Sequence, residues 1–254
     1  MATALRTNSR YSEAEWAARQ ELAACYRIFA MMGWDELIYN HITVKVPNEE
    51  ESYLINPYGM HFSEINASSL IKVDIDGNKV DVDNPWAINK AGFVQHSLFH
   101  RQLPEVHAII HTHTTATTAV CSVEGGLTRS NFYACMLEGR LAYHDFEGIT
   151  VREDEGPNFL KSLGNKRIMM LKNHGPVVMG KTLPHAFLNY WVLQRACEIQ
   201  LATASMGAPI EVDMAVINVH QRDSKQVQLP GGPGRAEFDA MVRKVDKIDT
   251  SWRD

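Results

Sequence analysis

The chain has 254 residues, enough for one large domain or two small ones, and its 45% hydrophobic and 22% charged content suits a globular protein with a sizeable core. A formal net charge of −5, without any basic run, argues against nucleic-acid binding as the main role. No apolar run is long enough to span a membrane and no apolar h-region follows the early arginines, so a cytoplasmic protein with no membrane partner is expected.

Residues 1–14 read as a flexible N-terminal segment, with Ser12 and Glu15 spaced as a capping box. A helix follows to about Met32, its apolar stripe made by Trp16, Leu22, Tyr26 and Phe29, and Gly33 stops it. Residues 37–46 alternate as a strand that Asn40, His41 and Thr43 interrupt; Asn40 and Thr43 are candidate substrate contacts, with strand-edge hydrogen bonding as the alternative. Residues 53–56 form a second strand, closed by the turn Asn56-Pro57-Tyr58-Gly59. Ser63 to Leu70 is expected to be a short helix, and residues 71–75 a strand leading through Asp76-Gly77-Asn78 into a hairpin. Residues 90–101 read as a helix on which His96 and His100 share a face, as a metal pair or as a surface pair.

Helical segments are expected at 115–122 and within 127–140, then a strand at Ala142 that runs into the polar turn Asp145-Phe146-Glu147-Gly148. A helix from Pro157 to Gly164, a buried strand from Ile168 to Leu171, a strand at Val177 to Met179 and a long apolar helix from about Pro184 to Met206 follow. Residues 207–234 read as a Gly/Pro-rich linker before a last amphipathic helix at about 235–247. The resulting division is a main domain over 15–208 and a C-terminal extension with a short helix over 209–254. Cys25, Cys121, Cys135 and Cys197 lack CxxC spacing, which fits a reducing compartment.

The centre of the chain is VHAIIHTHTTATT, from Val106 to Thr118. Its period-2 pattern predicts a strand, which would put His111 and His113 on one face, close enough to chelate one ion. A third imidazole comes from the turn Asn173-His174-Gly175, where glycine permits close backbone approach. Three imidazoles with an open fourth position suit a catalytic divalent metal: zinc, iron, nickel or copper, or manganese with added oxygen ligands. The alternative is a pair of strand histidines satisfied by hydrogen bonds.

Taken in order, Tyr39-Asn40-His41-Ile42-Thr43, Asn56-Pro57-Tyr58-Gly59, Asn89-Lys90-Ala91-Gly92-Phe93, His111-Thr112-His113 and Asn173-His174-Gly175 resemble the class II aldolase/adducin family over roughly residues 15–208. The resemblance implies a three-layer α/β/α fold with a central, mostly antiparallel sheet. It also implies a homotetramer with sites near subunit boundaries, and a zinc ion on His111, His113 and His174 acting as a Lewis acid. The family's aldolases carry a metal-binding, proton-moving glutamate at the position of Gly92, and two phosphate-holding serines at those of Lys90 and Ala91. Those departures leave His96 and Glu147 as candidate acid/base groups and Tyr143 as a candidate oxyanion donor. Asn40, Thr43, Tyr58, Gly59 and Lys90 are the candidate substrate contacts.

The Asn89–Ser97 stretch and the Tyr143-His144-Asp145 run look more like the adducin branch, whose heads are cytoskeletal and not known as enzymes. The expected function is therefore a metal-dependent lyase. It would perform aldol cleavage or decarboxylation on a small oxygenated carbonyl or carboxylate compound through a metal-stabilised enolate. The alternative is a non-enzymatic, adducin-head-like binding or assembly protein.

Overall fold

Helix α1 (Glu13–Met32) starts where Ser12 accepts a hydrogen bond from the Glu15 N–H at 3.1 Å, and it ends at Gly33 with φ 65°. Only half of the expected capping box forms. The Glu15 carboxylate turns instead to Arg19 at 2.8 Å and Lys72 at 3.0 Å, because the Arg19 guanidinium is fully buried and requires counter-charge. The computed structural model to which these contacts belong describes residues 10–49, 51–149, 153–227 and 230–254. Most of the segment expected to be flexible, residues 1–9, therefore lies outside the described residues.

Seven strands form one sheet: β1 (His41–Lys45), β2 (Ser52–Ile55), β3 (Ile71–Asp74), β4 (Ala108–His111), β5 (Leu141–His144), β6 (Ile168–Leu171) and β7 (Gly175–Gly180). Their order is β3-β2-β1-β4-β7-β6-β5, and every neighbouring pair is antiparallel except β5 with β6. That parallel pair is joined through helix α5 (Gly156–Leu163), the kind of crossover parallel strands need.

Alternate residues serve the two faces of the sheet. Ile42, Val44, Ala108, Ile110, Met170 and Val178 share a core with α1 and with α6 (Leu183–Thr203). Ile109, Met169, Leu171, Val177 and Met179 pack with Phe99 of α2 (Lys90–Gln102) and Phe159 of α5. The fold is thus the expected helix–sheet–helix sandwich. The same alternation sends His41, Thr43 and His111 toward the α2 face, since their strand neighbours occupy the other.

Four local expectations are corrected. The first strand begins at His41 rather than at residue 37, because Leu37 adopts a left-handed backbone (φ 46°) and Tyr39 N–H closes a turn on the Glu36 carbonyl at 3.0 Å. The helix expected over Ser63 to Leu70 is a single 3₁₀ turn, Phe62–Glu64, capped by His61. The histidine strand stops at His111, so His113 lies beyond it. The supposed linker contains a helix, Met214–Ser224, whose cap Asp213 accepts from the Ala215 N–H at 2.7 Å; its valines at 216 and 219 are exposed and leave no buried stripe to read. The final helix, Arg235–Asp246, puts Phe238 and Val245 into the core shared with α1 and α6.

Tyr26 of α1 ties the start of β1 to the end of β2. Its buried hydroxyl accepts from the Ile42 N–H at 2.9 Å and the Asn56 N–H at 3.2 Å, and it donates to the Ile42 carbonyl or to Asn56 Oδ1. Tyr26→Phe leaves two buried backbone donors without an acceptor. At about 1–3 kcal/mol each, it should lower stability by about 2–4 kcal/mol in urea unfolding. A loss near zero would mean the tie is redundant.

Candidate metal centre

Three imidazoles from two distant parts of the chain meet at one end of the sheet. His113 Nε2 lies 2.8 Å from His111 Nε2 and 3.0 Å from His174 Nε2, although His174 is 61 residues further along. Each part of this convergence has a local cause. His111 is the last residue of β4, paired with His41 on one side and Val177 on the other. The chain then runs extended through residues 112–114, held to α6 by the Thr112 hydroxyl on Tyr190 at 2.9 Å and the Thr114 hydroxyl on Gln194 at 2.8 Å. Thr114 goes on to cap helix α3 (Thr115–Cys121). His113 is thereby fixed between two anchored threonines.

His174 sits in the β6–β7 turn. Asn173 takes the left-handed conformation there (φ 57°), which asparagine tolerates better than most residues. A Cβ on Gly175 would stand 2.3 Å from the Thr112 carbonyl oxygen, so glycine is what lets this turn approach the β4 exit, as expected.

The outer nitrogens of His111 and His113 are tied off. His111 Nδ1–H donates to the Pro176 carbonyl at 2.9 Å, and His113 Nδ1 faces the Glu36 carboxylate at 3.2 Å. With protons on both Nδ1 atoms, the Nε2 atoms of His111 and His113 carry only lone pairs, facing each other at hydrogen-bond distance. Two lone pairs so placed repel unless a cation lies between them, so the donor set fits a divalent metal ion. Burial, reinforced by the neighbouring imidazoles, holds the His111 pKa well below its usual value and lowers that of His174 to about 4; His113 is also lowered by burial. All three are neutral near pH 7, the state a metal requires. Among the described residues these three histidines form the one cluster able to hold an ion, and it includes no carboxylate.

A second row of histidines stands behind the first. The His41 ring centroid is 5.0 Å from that of His111 and 4.4 Å from that of His96. Thr43 Oγ1 lies 2.8 Å from both His96 Nδ1 and His100 Nε2, and His100 Nδ1 reaches the Val106 carbonyl at 3.4 Å. His96 and His100 are therefore a buried pair bridged by a threonine, neither a surface pair nor part of the metal cluster.

The remaining sequence candidates are spread around this centre. Glu147 is exposed, accepts from Asn158 Nδ2 at 2.9 Å, and shares a small recess with His144 and His174. Tyr143 lines a cavity of about 430 Å³ with Asn173, the neighbour of His174, and its hydroxyl accepts from the Leu127 N–H. Asn40 is buried, with its amide directed to the Trp34 carbonyl. Thr43 has its hydroxyl committed to the two imidazoles. Tyr58 and Gly59 pack against the Trp86–Ala87 strand-like bridge, and Lys90 is the exposed first residue of α2. Sequence reasoning passed over His41 and Glu36. The period-2 link between His41 and Thr43 was a signal for the former. Glu36, in an irregular turn, offered none.

Comparison with known proteins agrees with this geometry. The family model described as class II aldolase and adducin N-terminal domain matches residues 20–201. A provisionally named aldolase class 2 protein of Caulobacter vibrioides is 38% identical over 96% of this chain and 95% of its own length. Rat alpha-adducin is 38% identical over 94% of this chain, which spans only 34% of that longer protein. A crystal structure of an aldolase II superfamily protein from Pseudomonas syringae superposes with a TM-score of 0.91 at 38% identity, covering 96% of this chain and 98% of that one.

The buried histidines make stability acid-sensitive. Burial lowers the His100 pKa from 6.5 to about 3, so the unfolded chain binds more protons between those values. The stability this neutral group contributes is complete above about pH 6.5 and is lost as pH falls toward 3. The thermal midpoint should drop steadily as pH falls from 7 to 4, and His100→Gln should flatten that drop. An unchanged slope in the variant would show that His100 does not carry it.

Proposed function

The chain belongs to the class II aldolase and adducin N-terminal domain family, and from that premise we propose that it is a metal-dependent carbon–carbon lyase. The observation that carries this reading is the meeting of three neutral imidazoles at their Nε2 atoms, with the outer nitrogens of His111 and His113 already engaged. His111, His113 and His174 would hold the ion, zinc by the preference of an all-imidazole set, or manganese with oxygen ligands added. Bound there, the ion supplies Lewis-acid polarisation of a carbonyl or carboxylate oxygen, the requirement common to aldol cleavage and decarboxylation.

The protein's own groups do the rest. Glu36 orients His113 as carboxylates orient metal-binding imidazoles. Position 92 carries no side chain, so the proton must move through another residue. Glu147 suits that role better than His96: it is exposed and borders the His174 recess, whereas His96 is buried behind His41 with its Nδ1 on Thr43. Tyr143, whose hydroxyl proton is not used in accepting from Leu127, can donate to a developing oxyanion. Lys90 offers an exposed cation for an acidic substrate group, and Tyr58 with Gly59 a turn bridged to Ala87, just before the helix that Lys90 opens. The substrate class is a small hydroxy-keto acid, aldol or aromatic carboxylate, handled by a homotetramer in a reducing cytoplasm. Four unpaired, buried cysteines accord with that compartment.

A second reading is an adducin-head-like binding protein without turnover. A histidine cluster made, among the described residues, of imidazoles alone favours it.

The experiment is a substrate screen of these compounds with the zinc- and manganese-loaded protein, followed by variants. Glu147→Gln should lower kcat by about 10²–10⁴-fold with KM little changed, the usual size of a lost acid/base group. Turnover unaffected by that substitution removes Glu147 from the mechanism, and no turnover of any compound favours the second reading.

A further inference from the structure

The end of the sheet away from the histidine cluster is basic. Leu141 of β5 pairs with Ile168 of β6, and Ile168 with Val178 of β7, so β5 and β6 begin beside the end of β7. Gly180 of β7 pairs with Ala108, and the Lys45 N–H donates to the His107 carbonyl at 2.9 Å. Five adjacent strands thus present Arg140, Arg167, Lys181, His107 and Lys45 in one row at this end. In a chain whose net charge is −5, the local sign is reversed, and the field at this edge draws anions in.

Three cations and an imidazole gather at the β5–β6–β7 part of the row. Arg140 Nη2 donates to Asn189 Oδ1 at 2.8 Å, and Nη1 to the Met136 carbonyl at 3.4 Å. Asn189 is buried and gives its own amide hydrogen to the Met179 carbonyl at 3.4 Å, so the acceptor is itself fixed. Lys166 Nζ donates to the carbonyl of Gly139, the residue before Arg140. His185 is half-buried one turn before Asn189 on α6, and Lys181 is exposed just ahead of the α6 cap Thr182. Burial lowers the His185 pKa, and the charges of Arg140 and Lys181 lower it further, so both cations act on this imidazole.

The groups that hold these cations are neutral. Arg140 and Lys166 rest on amide and backbone oxygens, and among the described residues Arg140, Lys166, Lys181 and His185 make no ion pair. Glu105 is bound to Arg167, and its charge reaches Lys181 as well. A buried carboxamide that aligns a guanidinium without neutralising it leaves the whole charge for an incoming anion. The planar fork of an arginine suits two phosphate oxygens, and the lysines add compact charge beside it. Three cations match a diphosphate better than a single carboxylate. An anion seated among them would also relieve the crowding at His185.

We propose that Arg140, Lys166, Lys181 and His185 form a second binding site, at the opposite end of the sheet from the histidine cluster, for the diphosphate group of a small soluble molecule. The inference goes beyond the lyase reading and is independent of it.

The test titrates pyrophosphate into the protein by calorimetry at low salt. The wild type should bind it, and the variant combining His111→Ala with His113→Ala should keep that binding. Arg140→Ser and Lys181→Ser should each weaken it about tenfold, the size of one lost charge-assisted contact. Arg140→Lys keeps the charge but not the fork, and should weaken it about threefold. Lys244→Ser combined with Lys247→Ser removes two exposed charges near the end of the last helix and should change the affinity by less than about twofold. Lys181→Ser should leave the thermal midpoint unchanged, and it decides the matter if Arg140→Ser fails to fold. No binding at millimolar pyrophosphate overturns the site. Binding lost in the histidine double variant overturns it too, because the anion would then sit on the metal centre. Equal weakening by the Lys244 and Lys247 changes also overturns it, by reducing the attraction to diffuse charge.

Discussion

The close approach of the β6–β7 turn to the exit of β4 is the constraint on which the site depends. Gly175 meets the Thr112 carbonyl where no larger residue fits, and the Pro176 carbonyl just beyond it accepts from His111 Nδ1. One contact therefore delivers His174 to the cluster and sets the tautomer of His111. The antiparallel pairing of β4 with β7 makes this approach obligatory, because His111 and Val177 lie opposite each other in register. Helix α6 secures the other half by binding Thr112 and Thr114 on either side of His113. Backbone geometry and buried hydroxyls thus pre-arrange the imidazoles, which is how a cluster of neutral nitrogens can exist in a folded chain at all.

Much of this was legible in the sequence. Periodicity revealed α1, α6 and the buried strand Ile168–Leu171, since each has an apolar pattern long or regular enough to stand alone. The His-x-His pair and Asn-His-Gly marked the cluster. What stayed hidden depends on tertiary contacts or on backbone states that residue type does not display. The strand start at His41 depends on the left-handed Leu37, and the helix at Met214–Ser224 has no buried stripe. His113 was expected on a strand and reaches the cluster from an extended exit segment instead, so the right pairing followed from an incomplete local reason. The contact of the His41 ring with Gly92, where a Cβ would stand 2.7 Å from the ring, could not be seen before β1 was known to pair with β4 and α2 to cross them.

That contact changes how the bare position 92 should be viewed. The space beside position 92 of the helix is filled by the His41 imidazole from the strand, which burial keeps neutral. Among the described residues the centre has no carboxylate within its own cluster, and Glu36 touches the outer edge of His113. An ion in such a site would retain most of its charge, which suits an anionic ligand.

The central claim is that His111, His113 and His174 bind a divalent ion. The direct measurement is metal content by elemental analysis of protein purified without chelator, for the wild type and for His111→Ala combined with His113→Ala. The account predicts near-stoichiometric metal in the wild type and its loss from the double variant. A wild type that remains metal-free after incubation with zinc or manganese would contradict it.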